Sequence, residues 1–214
     1  MRFDGRYVAL ERLSAERHGE DLWNCVGGES HADLWRWMPD GPFPDRASLD
    51  AVLSAKEASS DPLFFAIIDH SSGLAQGHAS LMRHEPKHRV IEVGGIMYSP
   101  ALRRTRGATE AMYLLARHVF EEMGYRRYEW KCNTQNEPSR AAALRLGFTL
   151  EGIFRQHMIV KGVNRDTAWF SMLDSEWPAR RTEFERWLDP SNFKDGRQLT
   201  RLKQTTSDQP ALYS

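Results

Sequence analysis

The stretch from Arg103 to Phe148, RRTRGATEAMYLLARHVFEEMGYRRYEWKCNTQNEPSRAAALRLGF, decides the fold. A basic turn bearing one glycine opens a helix, a strand follows, and a second short helix starts at Asn136 and stops at Gly147-Phe148. Helical period runs over residues 107–123, with Met112, Leu115 and Val119 on one stripe and Ala116, Phe120 and Met123 beside it. Gly124 suits a C′ stop. From Arg126 to Cys132 the period falls to two, placing Tyr128, Trp130 and Cys132 on one face and Arg127, Glu129 and Lys131 on the other. Asn136 is placed to cap the second helix, with Pro138 in its first turn.

The turn ahead of the long helix is the chemically pointed element. Gly107 lets a ligand approach the backbone, and amides from about Arg104 to Thr109 can converge on phosphate oxygens. Arg103, Arg104, Arg106, Gly107, Ala108 and Thr109 are therefore the candidate pyrophosphate-binding set, with arginine forks adding charge-assisted bonds. The plainer alternative is a solvated basic turn.

The strand feeding this turn is IEVGGIMY, Ile91 to Tyr98. Two adjacent glycines inside a strand mark a bulge or a close backbone approach. Unpaired amides near Ile96, Met97 and Tyr98 could bind an extended amide-bearing arm or polarise a carbonyl, unless the bulge only bends the sheet. Alternation puts Glu92 with Gly94, Ile96 and Tyr98. Apolar neighbours there would suit a general base; an exposed surface glutamate is the alternative. Ser139, in the first turn of the second helix, could give a proton to a leaving group.

Working outward, Tyr7 to Leu13 reads as a first strand, Ser14 as the cap of a helix reaching Gly27-Gly28, and residues 34–46 as an irregular aromatic segment able to cover a pocket. Ser48 to Ser59 reads as a helix. Residues 62–70, 75–84 and 88–99 form an antiparallel meander. Residues 148–161 and 166–173 pair as a hairpin, and Ser175 to Leu188 closes the domain. The expectation is one mixed α/β domain over 1–188 and a polar, loosely held tail over 189–214.

The 214 residues balance 29 basic against 29 acidic side chains, so nothing in the overall charge points to a nucleic-acid partner. Cys25 and Cys132 are too few for a disulfide framework or a zinc site and read as small core residues. No stretch approaches the ~20 apolar residues of a membrane span, and no leader pattern opens the chain, so a cytoplasmic location is expected. His78, His84 and His88 read as surface residues. An edge strand or the tail could support a homodimer.

Gly107-Ala108-Thr109-Glu110-Ala111, Leu114-Leu115, Val119-Phe120, Asn136-x-x-Ser139-Arg140-x-Ala142, Leu146-Gly147-Phe148 and Glu151-Gly152-x-x-Arg155 together closely resemble the GNAT superfamily of acyl-CoA-dependent N-acyltransferases. Within it the resemblance is to the ribosomal-protein-alanine N-acetyltransferase branch. It is strongest over residues 90–173. It implies a mixed, mostly antiparallel central sheet flanked by helices, and acetyl-CoA as cosubstrate. The pyrophosphate would lie on the Arg104–Thr109 turn, the pantetheine arm beside Ile96, Met97 and Tyr98, and Asn136 against the arm. It also implies direct transfer to an amine acceptor. Many members carry a tyrosine seven residues after the asparagine, to protonate the departing thiolate; here that position is Ala143, which leaves Ser139 or a water. A module that binds CoA without turnover is the rival reading.

Overall fold

The computed structural model describes residues 1–203. Eight strands form one sheet: β1 (Arg2–Asp4), β2 (Val8–Arg12), β3 (Leu63–Asp69), β4 (Ala75–Glu85), β5 (Val90–Tyr98), β6 (Arg127–Asn133), β7 (Thr149–Val160) and β8 (Val163–Leu173), in the order β1-β2-β3-β4-β5-β6-β8-β7. Every neighbouring pair is antiparallel except β5 and β6. The helices are α1 (Ala15–Val26), α2 (Arg46–Ala58), α3 (Arg106–Arg117), α4 (Glu137–Leu146) and α5 (Trp177–Leu188). The expected meander, central strand and final hairpin are all present. The short opening strand β1 had no counterpart in the sequence reading.

The two faces of the sheet are covered unequally. Side chains of α3, α4 and α5 pack with Leu10, Phe65, Val93, Tyr128, Trp130 and Phe170 in the larger core. On the opposite face α1, α2 and the segment Glu29–Trp35 enclose a second core of Leu22, Trp35, Phe43, Leu53, Phe64 and Met97. That second layer covers β2 to β4, and the charged alternate residues of β6 lie on the same face beyond it.

Helix α3 is fixed to the sheet at its start. A Cβ on Gly107 would sit 2.7 Å from Val8 Cγ1, so glycine there allows close helix–strand packing. The buried Glu110 carboxylate accepts from the amides of Arg6 (2.8 Å), Tyr7 (2.6 Å) and Val8 (2.9 Å), satisfying donors at the start of β2. The regular helix stops at Arg117 and continues as one wider turn, His118–Glu122, with Met123 N bonded to His118 O at 2.9 Å. Gly124, at φ +64°, then turns the chain into β6.

The stretch after Pro190, read as polar and loose, packs against α5 as far as Lys203. Asn192 and Leu202 are buried, Trp187 Nε1 donates to Gln198 Oε1 (2.8 Å), and Arg180 Nη1 donates to Lys203 O (2.8 Å). Polar composition hid this because the contacts are hydrogen bonds around two buried anchors. The last part of the expected tail, residues 204–214, lies outside the described residues. No helix among the described residues is long and apolar enough to cross a membrane.

Candidate active site

The parallel ladder between β5 and β6 is short. It runs from Val90↔Arg127 to Val93↔Trp130 and ends there. Beyond Val93, β5 stays with β4 while β6 stays with β8, so the two central strands part and leave a cleft. The glycine pair sits at the parting point. Ser80 pairs with Gly94 and His78 with Met97, so Ala79 faces both Gly95 and Ile96 in a bulge, with Gly95 at φ +56°.

The bulge overturns one expectation. Its extra residue reverses the alternation, so Ile96 and Tyr98 pack toward the α3 core with Ile91 and Val93, and Glu92 points to the other face. Met97 is buried in the second core. Burial pushes the Tyr98 phenol above its ordinary range, and its hydroxyl donates to Ala108 O (3.2 Å).

Glu92 is 4% exposed, and its neighbours are charged, not apolar as expected. Its Oε2 is held by Lys131 Nζ at 2.8 Å and Arg83 Nη1 at 2.7 Å. Lys131 also meets Glu129 Oε2 (2.7 Å), and Arg127 links Glu129 (2.6 Å) to Glu151 (2.5 Å). Burial acts to raise the Glu129 carboxyl, but hydrogen bonds from Lys131 and Arg127 outweigh it and hold the carboxyl below its ordinary range. Oε1 of Glu92 carries none of these ion pairs. It lies beside Gly94, 3.4 Å from where a Cβ on that glycine would stand, next to the point where β5 leaves β6.

Lys131 continues the network into an aromatic wall. Its Nζ lies 3.9 Å from the Trp169 ring centre, a cation–π contact. Trp169 packs against half-exposed Phe154 (4.3 Å between centroids) and His157 (5.7 Å) on the β7–β8 hairpin. Burial and then the cations of Arg165, Arg83 and Lys131 push His157 below its ordinary value. Lys161, at the hairpin tip, donates to Trp35 O (2.8 Å), tying the hairpin to the aromatic segment across the open face. Arg83, Glu129 and Lys131 also line a shallow depression with Asp61, His84, Glu85, His88 and Val90.

At the other mouth of the cleft lies the turn before α3. Thr105 caps the helix, its Oγ1 accepting from Ala108 N (3.1 Å), and Arg104 adopts φ +60°. The first-turn amides of Arg106 and Gly107 have no intrahelical acceptor and point outward at the positive end of the helix dipole. Arg103 and Arg104 are exposed. The Arg106 guanidinium is instead packed between the Tyr7 ring (4.6 Å) and the Phe193 ring (4.8 Å). Thr109 is buried, its hydroxyl accepting from Arg145 Nη1 (3.1 Å). The set thus offers backbone amides and two exposed arginines, with the Arg106 side chain drawn into packing.

Asn136 caps α4: its Oδ1 accepts from Ser139 N (3.2 Å). Ser139 Oγ accepts from Trp130 Nε1 (3.0 Å), which leaves the hydroxyl proton available to donate elsewhere. Ala143 is wholly buried in the larger core. Cys132 lies near this serine; burial raises its thiol, against weaker lowering by Ser139, Arg165 and Arg140. Burial likewise pushes Cys25 up to about 12.

A strand pair that parts beside a glycine bulge, with a helix N-terminus at its mouth, coincides with a match to the acetyltransferase (GNAT) domain model over residues 10–149. The chain belongs to the GNAT acetyltransferase family. Two solved GNAT structures extend the likeness over most of the chain. A GCN5-related N-acetyltransferase from Brucella melitensis is 49% identical, with TM-score 0.93 over 94% of this chain and 92% of that one. A GNAT-family protein from Chromobacterium violaceum is 43% identical, with TM-score 0.77 over 83% and 88%. YdaF of Bacillus subtilis, provisionally named a ribosomal N-acetyltransferase, is 36% identical over 69 residues, which span 32% of this chain and 38% of that protein. Membership makes the chain an acyltransferase by family.

Lys131, Arg83, Trp169 and His78 join the candidate site only through the tertiary structure. The alternation of Arg127, Glu129 and Lys131 along a central strand was a signal, since three charges on one face of such a strand require partners. His78, read as a surface residue, is 1% exposed and belongs to the wall beneath the bulge.

Proposed function

We propose that the protein is an N-acetyltransferase that moves an acetyl group from acetyl-CoA to a primary amine by direct transfer in a ternary complex. The observation that carries this reading is the juxtaposition at the strand parting: Glu92 Oε1 lies beside Gly94, at the start of the bulge. The amides of the Arg104–Gly107 turn, with Arg103 and Arg104, suit a pyrophosphate. The amides of β5 beyond the bulge suit the pantetheine arm, with Asn136 beside it.

Glu92, acting directly or through water, takes the proton of the attacking amine, while the two cations on its Oε2 keep it fixed. The nitrogen lone pair adds to the thioester carbonyl. Bulge amides stabilise the oxygen that gains charge, and collapse expels CoA as its thiolate. The Ser139 hydroxyl, held by Trp130, is the candidate donor to that sulfur. Catalysis here comes from positioning and preorganised dipoles. The Phe154–Trp169–His157 wall lies on the Glu92 side, where it suits an apolar group carried by the acceptor. YdaF's name brings a protein N-terminal amine into consideration beside small-molecule amines.

The test is free-thiol release from acetyl-CoA with panels of peptides, polyamines and aminoglycosides. Acceptor-dependent release that is lost in Glu92→Gln supports the enzyme. Tight CoA binding without release on any amine would favour a sensing module.

A further inference from the structure

The bulge in β5 has to be held open, and two buried side chains of β4 make the contacts that can do so. His78 Nδ1 bonds to Gly95 O at 2.8 Å, and Ser80 Oγ donates to Gly94 O at 2.9 Å. His78 is 1% exposed and Ser80 0%. In a regular strand successive carbonyls point to opposite sides. Here two in a row are claimed from β4, which the positive φ of Gly95 permits. Both peptides are trans, so each amide proton points away from its carbonyl. The amides of Gly95 and Ile96 therefore point away from the His78 and Ser80 side chains that hold the carbonyls, at the place where β5 and β6 have parted.

We propose that His78, assisted by Ser80, is the positioning residue that aims the Gly95 and Ile96 amides into the acyl-transfer cleft. The proposal rests on the acetyltransferase reading for its catalytic consequence, though the hydrogen bond itself does not depend on it. A carbonyl can only accept, so Nδ1 must carry the ring proton. The surroundings enforce that tautomer. The ring lies against Phe64 (5.6 Å) and Trp35 (6.4 Å), and Nε2 has no hydrogen-bond partner among the described residues. Lys56, itself buried and ion-paired with Asp40 at 2.6 Å, flanks the same two rings. Burial and that neighbouring cation keep the imidazole neutral. A neutral ring donating from Nδ1 is a fixed dipole aligned behind the bulge.

Two measurements test this. Long-range proton–nitrogen spectra of the ligand-free protein, labelled with nitrogen-15 histidine, should show His78 as the neutral Nδ1–H tautomer. An Nε2–H tautomer would overturn the proposal whatever the protein's activity. In steady-state kinetics, His78→Leu should lower kcat by tenfold or more while KM for acetyl-CoA changes less than threefold. His78→Asn, whose amide nitrogen falls near Nδ1, should recover most of kcat, and Ser80→Ala should show a smaller loss. Equal kcat in His78→Leu and wild type, or no recovery in a folded His78→Asn, would overturn it. Should His78→Leu fail to fold, the asparagine variant and the tautomer decide. A wild-type protein that shows the Nδ1–H tautomer but no acetyl transfer would refute the proposed function and leave the hydrogen bond standing.

Discussion

The two mouths of the central cleft are built from different materials. At the α3 mouth, the turn Leu102–Thr105 and the first helical amides present backbone donors held by local bonds: Leu102 N and Arg103 N to Ser99 O, and Ala108 N to Thr105 Oγ1. At the Glu92 mouth, the chemistry is carried by side chains gathered from β4, β5, β6 and β8, with contacts at Arg83, Glu92, Lys131 and Trp169. A site of backbone amides tolerates side-chain replacement provided the turn keeps its shape. One made of interlocked charges fails when a single member is removed. The proposed division of labour follows: a common cofactor moiety at the backbone mouth, the reacting amine at the side-chain mouth.

The largest expected effect tests the side-chain mouth. Glu92→Gln should lower kcat/KM about 100-fold or more, within the range for losing a positioned general base. KM for acetyl-CoA should change little, which steady-state kinetics at varied acetyl-CoA and amine will read. Equal activity in the variant would remove Glu92 from the chemistry.

Next comes a steric test of the other mouth. Gly107→Val places atoms where Val8 Cγ1 already stands. Overpacking there should cost about 1–3 kcal/mol, or roughly 2–12 °C in Tm. Coenzyme A binding by calorimetry should weaken in parallel, because the helix start can no longer seat on β2. Unchanged Tm with normal binding would break the link between packing and the turn.

The ion network predicts a smaller, pH-dependent effect. Arg127 holds the Glu151 carboxyl below its ordinary value, chiefly through its hydrogen bond, with Ser171 assisting. A depressed folded-state pKa stabilises the fold above the unfolded value of about 4.3 and loses that contribution as pH falls through the folded value. Tm should therefore drop below about pH 4.5. Arg127→Met should flatten part of that drop, as read by thermal melts from pH 3 to pH 7. Glu151 is well exposed, so the amplitude should be modest.

The smallest effects separate neighbouring arginines at the backbone mouth. Arg104→Ala should raise KM for acetyl-CoA a few-fold with Tm unchanged, since its side chain is exposed. Arg106→Ala should lower Tm by a few degrees instead, through loss of its stacking on Tyr7 and Phe193, worth about 1 kcal/mol. Indistinguishable variants would show that both guanidinium groups serve one purpose.

Local signals were legible wherever the decisive contacts are close in sequence. The cap at Asn136, the stop at Gly147, the period of α3, the bulge at Gly94-Gly95 and the alternation of β6 all depend on residues within one or two turns of each other. Expectation and structure differ where distant segments set the environment. Alternation carried straight through the glycines puts Glu92 among apolar groups; the bulge reverses it. Arg106 reads locally as a ligand-binding fork, while the rings its guanidinium packs between, Tyr7 and Phe193, come from near the two ends of the chain. Nothing near His78 in sequence shows that Trp35 and Phe64 pack against it.

By itself the sequence determined the succession of helices and strands, the place where the central strand breaks its rhythm, and the turn that opens α3, since hydrophobic period, glycine and capping residues act over a few positions. Only the tertiary structure decided which charge neutralises which, which arginines stay exposed, and that Glu92 Oε1 lies beside Gly94. Those outcomes depend on pairings such as Glu92–Lys131 and His78–Gly95 across the sheet, whose energies come from burial and proximity that no local pattern encodes.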